Sequence, residues 1–321
     1  MGRFDHSAYV SLTMEFRCNL KCVHCMIEGT MDRLAPESDR HFEAVLALNA
    51  RERRWTGLIL TGSEITLRRD LPDLARRARA SGFAQVRIQT HGMHLGQPSY
   101  CRTLVAAGVN EFFVSIAGSD AVSHDGLTLV PGSFDKAVRG METLDAIPGV
   151  TTLTNTVVTE RSYHLLPGIV ERLAHLERLA QMEFWVYFPM SERDEKGLVA
   201  RHADVLPYLR EAVIRARELG RAVEVKNFPQ CLLGDLGDSL VNAQPELHID
   251  DAFWREFERN GFYQCVHRDA CASKECLGLN TAYIARFGTE AEALAPIRDV
   301  APLPGLRARP GSTTDPRSQG S

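Results

Sequence analysis

Between residues 10 and about 220 the chain alternates strand-like and helix-like patterning six times over. Short apolar, β-branched runs stand at Val10–Phe16, Gly57–Gly62, Gln85–Thr90, Glu111–Ile116, Thr151–Thr159 and Gln181–Pro189, each followed by a turn or loop. Between them apolar residues recur at helical spacing, as in Phe134, Ala137, Met141 and Leu144 or in Leu206, Leu209, Val213 and Ala216. Ser133 reads as a helix N-cap, and Gly82, Gly108 and Gly220 stand where helices should stop. A βα alternation brings the chain back in one direction each time, so the sheet is expected to be parallel. Six units are too few to close the usual eight-stranded barrel. The expected fold is α/β, a partial (β/α)6 TIM-like barrel with its site at the C-terminal ends of the strands. An open doubly wound sheet has the same periodicity and stands as the alternative.

From about residue 226 the pattern breaks into loop-rich, cysteine-rich sequence, and after about Pro296 it turns to Pro, Gly, Arg and Ser. The expected organisation is a barrel over 1–225, a small metal-held module over 226–290 and a flexible tail over 291–321. A net charge of −4 leaves no electrostatic footprint for nucleic acid. No apolar run reaches membrane-spanning length and no signal-peptide layout precedes the first strand, so a cytoplasmic protein without a membrane partner is expected.

The eight cysteines fall as a tight trio, an outlier at Cys101 and a late group of four. Without a secretory signal, clustered cysteines read as metal ligands rather than disulfides. Cys18, Cys22 and Cys25 follow the first strand directly, in C-x3-C-x2-C spacing. One short loop can wrap three corners of an iron–sulfur cubane in this way, leaving the fourth iron without a protein thiolate. A zinc loop is the competing reading, but zinc pairs C-x2–4-C with a second such pair or with histidines.

The run Cys18-Asn-Leu-Lys-Cys22-Val-His-Cys25 resembles the radical S-adenosylmethionine (radical SAM) superfamily, with His24 at the motif's aromatic place. The resemblance implies a [4Fe–4S] cluster on Cys18, Cys22 and Cys25 whose open iron chelates SAM. One electron then cleaves SAM to methionine and a 5′-deoxyadenosyl radical, which abstracts hydrogen from unactivated C–H bonds. The electron would come from an external donor such as flavodoxin or ferredoxin. Further positions follow from the same resemblance. Thr61-Gly62-Ser63-Glu64 matches a place where the family often has Gly-Gly-Glu, with Ser63 for the second Gly. Gly62 would let the backbone approach the cofactor, and Glu64 would accept from the SAM ammonium. His91 stands for Asn in a T-N-G-like turn, and Ser115 and Asn155 occupy strand positions that can face SAM. For those two an ordinary inward strand residue is an equal reading.

The late cysteines, Cys231 and then Cys265-x5-Cys271-x4-Cys276, resemble the short auxiliary-cluster ("twitch", SPASM-like) modules of some radical SAM enzymes. A second [4Fe–4S] cluster on all four is the expectation, with structural zinc as the alternative. Cys265 is either the fourth ligand or an uncommitted thiol able to return a hydrogen atom. Cys101, beside apolar Leu104, reads as a small buried hydrophobe. In size and layout the chain resembles enzymes that modify aminocyclitol and sugar units of antibiotics. Such a resemblance implies a dehydrogenase, with an auxiliary cluster as electron sink, or an epimerase, with Cys265 as hydrogen donor. A small sugar or aminocyclitol substrate is thus expected. A peptide substrate is the runner-up, since no long leader-gripping extension precedes Cys18, and a non-catalytic iron–sulfur carrier is a distant third. Asp120, Asp125, Glu160, Glu183 and Glu192 lie near strand ends as carboxylates that could meet a cationic sugar.

Overall fold

The computed structural model describes residues 4–27 and 33–298. Eight strands form one open, wholly parallel sheet in the order β7-β6-β5-β4-β3-β2-β1-β8. They are β1 (Tyr9–Glu15), β2 (Gly57–Gly62), β3 (Gln85–Thr90), β4 (Glu111–Ser115), β5 (Thr151–Val158), β6 (Leu179–Val186), β7 (Ala222–Lys226) and β8 (Glu246–His248). The six expected strands are all present, in chain order across the sheet. Two more extend it. β7 continues the βα series, and β8, three residues long, pairs with β1 at the opposite edge.

The helices that return the chain are α1 (Asp39–Glu52), α2 (Leu71–Ala80), α3 (Pro98–Ala106), α4 (Ala121–Thr128), α5 (Ser133–Asp145), α6 (Leu166–Arg172) and α7 (His202–Glu218). Beyond the barrel come α8 (Gln230–Leu233), α9 (Asp251–Glu258) and α10 (Thr281–Phe287). Gly82, Gly108 and Gly220 follow α2, α3 and α7 with positive φ, so they end helices as their positions suggested. Ser133 does not cap α5. It is the first helical residue, and the Asp125 carboxylate of α4 takes its hydroxyl (2.7 Å) together with the N–H groups of Gly132 and Phe134.

Strand residues alternate between two environments, as the pleat requires. Val10, Leu12, Leu58, Leu60, Ile88, Phe112, Val114, Met182 and Phe184 pack beneath the helices in the main core. Their neighbours face the lumen, which is polar and sealed below. Tyr9 donates to Glu111 (2.9 Å), Arg87 pairs with Glu111 (2.7 Å), and His6 bonds Glu224 (3.0 Å). Because His6 precedes β1 and Glu224 lies on β7, the sheet's ends approach one another at the floor.

The boundary expected at 226 does not part the chain cleanly, because β8 belongs to the barrel sheet. Nor does the tail begin at 291. Leu294 is buried, the Ala272 N–H donates to the Ile297 carbonyl (2.7 Å), and the Ile297 N–H points at Cys271 Sγ (3.4 Å). Residues 299–321 of the expected tail lie outside the described residues. The late module shares a second core with the barrel mouth, in which Tyr187, Leu198 and Val199 meet Leu279, Ala282 and Tyr283, with Val23 and Cys265 against them.

Candidate active site

The first three cysteines stand on the loop leaving β1, all half-buried. Two backbone bonds moor that loop to the last turn of α4: Lys21 N–H to the Thr128 carbonyl (3.1 Å) and Val23 N–H to the Leu127 carbonyl (2.9 Å). Cys25 N–H turns back onto the Cys22 carbonyl (3.0 Å), and Leu20 N–H points at Cys18 Sγ (3.4 Å). Burial pushes the Cys18 thiol up, and the Glu64 carboxylate and Cys25 push the same way. His24, in the motif's aromatic place, is held by burial to a pKa of about 4, so it is neutral near pH 7, and its Nδ1 is buried without a hydrogen-bond partner.

Glu64 is fully buried, and its carboxylate gathers the loops after β2 and β3. Oε1 accepts from the Thr66 N–H (3.0 Å), the Thr66 hydroxyl and the Thr90 hydroxyl (2.7 Å); Oε2 accepts from the His91 N–H (2.8 Å). His91 extends the network. Its Nε2 lies 3.1 Å from Glu64 Oε2 and 2.7 Å from Asn19 Oδ1, while Nδ1 accepts from the Met93 N–H (3.2 Å). Two acceptors at Nε2 and a donor at Nδ1 fix the neutral Nε2–H tautomer, and burial keeps the His91 pKa below its ordinary value. Asn19, His91 and Glu64 thus tie the cysteine loop to the ends of β2 and β3. In this arrangement Glu64 accepts from protein donors on both oxygens, whereas the family resemblance implies the SAM ammonium as its partner.

Gly62 also has a reason internal to the fold. Its φ is +149°, and a Cβ there would stand 1.8 Å from the Glu15 carbonyl oxygen. The close approach that demands glycine is therefore to β1. Ser63 follows with its N–H on the Glu15 carbonyl (2.8 Å) and its hydroxyl buried without a partner. Ser115 is exposed at the end of β4, and Asn155, its register partner on β5, has an unpartnered Oδ1. The chain thus offers three thiols on one loop, with unfilled polar atoms on His24, Ser63 and Asn155. That donor set fits an iron–sulfur cluster and a polar cofactor. Among the described residues no three of His, Cys, Asp and Glu converge closely enough to hold a single ion. A cubane does not require them to, since each thiolate meets a different iron.

The late cysteines are brought together. Cys231, at the start of α8, lines one pocket with Cys265, Cys271 and Cys276. An antiparallel bridge between Gln264 and Leu279 (3.1 and 2.8 Å) sets Cys265 near Cys276. Gly278 N–H and Ile297 N–H point at Cys276 Sγ and Cys271 Sγ, both at 3.4 Å. Such N–H···S contacts are among the features that tune a cluster's potential. Burial raises the Cys231 thiol pKa, and the nearby Cys276 and Cys265 add to it. His267 lines the pocket too, but its Nε2 bonds the Leu294 carbonyl (3.1 Å). Cys101 is fully buried in the main core and donates to the Leu95 carbonyl (3.1 Å).

Sequence patterning missed α4, which moors the cysteine loop, because Gly126 interrupts its apolar period. The capping box of Asp120 and Ser123 was the available signal. Of the five mouth carboxylates, Asp120 and Asp125 cap helices, Glu192 is exposed, Glu160 is half-buried, and Glu183 is buried in the lumen wall.

The model of the Radical SAM superfamily matches residues 14–173. A probable GTP 3′,8-cyclase of Methanopyrus kandleri is 33% identical over 183 residues, 56% of either chain. An AdoMet-dependent heme synthase of Methanosarcina barkeri is 31% identical over 189 residues, 57% of this chain and 51% of that one. Streptococcus suis SuiB, solved bound to precursor peptide SuiA, matches in fold with a TM-score of 0.56 over 73% of this chain and 52% of its own, at 18% identity. The chain spans about half the length of these relatives. No helix among the described residues is long and apolar enough to cross a membrane. With the family model running from the end of β1 through the cysteine loop to α6, the chain belongs to the radical SAM superfamily.

Proposed function

We propose that this radical SAM enzyme abstracts hydrogen from a carbinol C–H of a small sugar or aminocyclitol and delivers a ketone or an epimer, as in antibiotic biosynthesis. Cys18, Cys22 and Cys25 would hold the [4Fe–4S] cluster, and Ser63, His24 and Ser115 would face SAM. Glu64 and His91 would orient the loops around it. Cluster and SAM, when bound, supply a primary carbon radical strong enough for an unactivated C–H. The observation that carries the reading beyond the superfamily is the pocket lined by all four late cysteines. That donor set suits a second [4Fe–4S] cluster, and its neighbour Cys265 packs against the barrel mouth. A fully ligated cluster there would serve as a one-electron acceptor, the requirement for a ketone. A cysteine left out of the ligand set would serve as hydrogen donor, the requirement for an epimer. An external flavodoxin- or ferredoxin-type donor would reduce the first cluster.

The test is anaerobic turnover of cyclitols and aminocyclitols deuterated at the carbinol carbon. Deuterium in 5′-deoxyadenosine with a ketone or epimer product supports the proposal; 5′-deoxyadenosine without label from any of them contradicts it. In D2O, a Cys265→Ala variant separates the outcomes. Retained iron with lost epimer marks a hydrogen donor, and lost iron marks a ligand. A second reading, peptide modification, draws on the fold shared with peptide-bound SuiB, and label transfer from a deuterated peptide in place of a cyclitol would favour it.

A further inference from the structure

The lumen wall formed by β5, β6 and β7 carries more hydrogen-bond acceptors than donors. Two register pairs lie side by side there, Leu153 with Gln181 and Asn155 with Glu183, and Glu183 in turn pairs with Glu224. An ionised Glu183 has no cation of its own in this lumen. Arg87 is committed to Glu111 (2.7 Å), and Lys226 to Glu224 (3.1 Å) and the Val241 carbonyl (2.8 Å). Glu224 also takes His6 (3.0 Å). Among the described residues no cation reaches Glu183 within salt-bridge distance, although it is only 2% exposed.

Its hydrogen bonds are incomplete as well. Glu183 Oε1 accepts from Gln181 Nε2 (2.8 Å) and Oε2 from Trp185 Nε1 (2.7 Å). A carboxylate has about four acceptor sites, so about half are unused. Beside it, Gln181 Oε1 and Asn155 Oδ1 are buried with no partner at all. Three neighbouring side chains therefore offer unfilled acceptors, while the donors in their reach are spent. Buried polar groups are as a rule satisfied, and an exception asks for a missing partner. The missing partner here is rich in N–H or O–H donors and carries positive charge. Half-buried Asn155 and Trp185 border the patch on the side open to the mouth.

We infer that Glu183, with Gln181 and Asn155, forms the subsite that reads a protonated amine of the substrate. The inference deepens the small-sugar reading and rests on it, since that reading places the substrate in this lumen. It makes the substrate an aminocyclitol or amino sugar rather than a neutral polyol. Glu183 is then a specificity residue: burial, with Glu224 beside it, holds its carboxyl above the ordinary range against the pull of Lys226, and an arriving ammonium adds the charge that lets it ionise.

Two measurements on SAM-loaded protein with oxidised clusters test the subsite. In anaerobic calorimetry, 2-deoxystreptamine should bind at least tenfold more tightly than scyllo-inositol. Glu183→Gln should erase that preference, while Glu142→Gln, at an exposed position on α5, keeps it. An unchanged preference in Glu183→Gln overturns the inference. Should that variant not hold its clusters, Glu183→Asp keeps the charge with a shorter reach and is expected to weaken the amine alone. The second probe does not depend on cyclitols. Methylammonium is titrated while the indole N–H resonance of Trp185, assigned by its loss in Trp185→Phe, is followed. A saturable shift, absent in Glu183→Gln, is expected. If methylammonium moves that resonance and neither cyclitol binds, the amine subsite stands and the cyclitol reading falls. If the resonance does not move, the inference is overturned whatever the cyclitols do.

Discussion

Replacing Glu64 by Ala leaves the Thr66 and His91 N–H groups and two threonine hydroxyls facing a buried gap. Stranded buried donors cost about 1–3 kcal/mol each; the hydroxyls can rotate to other acceptors, so the two fixed N–H groups set an expected loss of about 2–6 kcal/mol in urea unfolding even without cofactor. An unfolding midpoint equal to wild type would mean that Glu64 faces outward and serves SAM directly. Gly62→Ala places a Cβ on the Glu15 carbonyl at a φ that L residues rarely adopt. It should lower Tm in the cofactor-free protein; an unchanged Tm would return the glycine to a cofactor role. The sequence identified both positions, but not the direction in which they act. Glu64 is completed by Thr90, 26 residues away, and Gly62 is constrained by Glu15 on the neighbouring strand. Partners so distant in sequence leave no mark in a local motif. Cysteine spacing is local, which is why the trio was legible at once.

At the scale of elements, the module over the mouth is clasped to α7 through His202. Its ring stacks on Tyr283 of α10 (centroids 4.0 Å apart, 13° between planes), and the His202 backbone N–H donates to the Tyr283 hydroxyl (3.0 Å). Tyr283 donates onward to Glu290, which Arg201 also holds (2.7 Å). Burial lowers the His202 pKa from 6.5 to about 3. The folded protein thus keeps this ring neutral where the unfolded chain protonates it. Stability is fully present above pH 6.5 and is lost as pH falls toward about 3. His24 and His124, each lowered to about 4, act in the same direction. His202→Phe should make the urea midpoint less steep in pH across this window, and an unchanged slope would remove His202 from the clasp. None of this was visible in the sequence, where a lone histidine at the start of a helix has no distinguishing pattern. The long, strongly periodic elements were legible; β7, β8 and α4, at five, three and eight residues, gave too few turns of either period.

For the whole molecule, the sequence specified a parallel α/β barrel with the cysteine loop after its first strand. It could not specify that the chain leaves that barrel at β7, sets down Cys231 on α8, returns as β8, and only then completes the cysteine pocket. Such a path depends on which edge a three-residue strand finds. The resulting architecture packs Val23 of the first cysteine loop and Cys265 of the late group on one apolar core. The account stands or falls on whether both hold iron. The direct measurement is iron and sulfide content with EPR on anaerobically reconstituted protein, beside a variant with Cys18, Cys22 and Cys25 all changed to Ala. About eight irons in the wild type and about four with an EPR-active cluster in the variant are predicted, as two cubanes require. A variant that holds no iron, or holds zinc, would make the late pocket structural and contradict the proposed redox role.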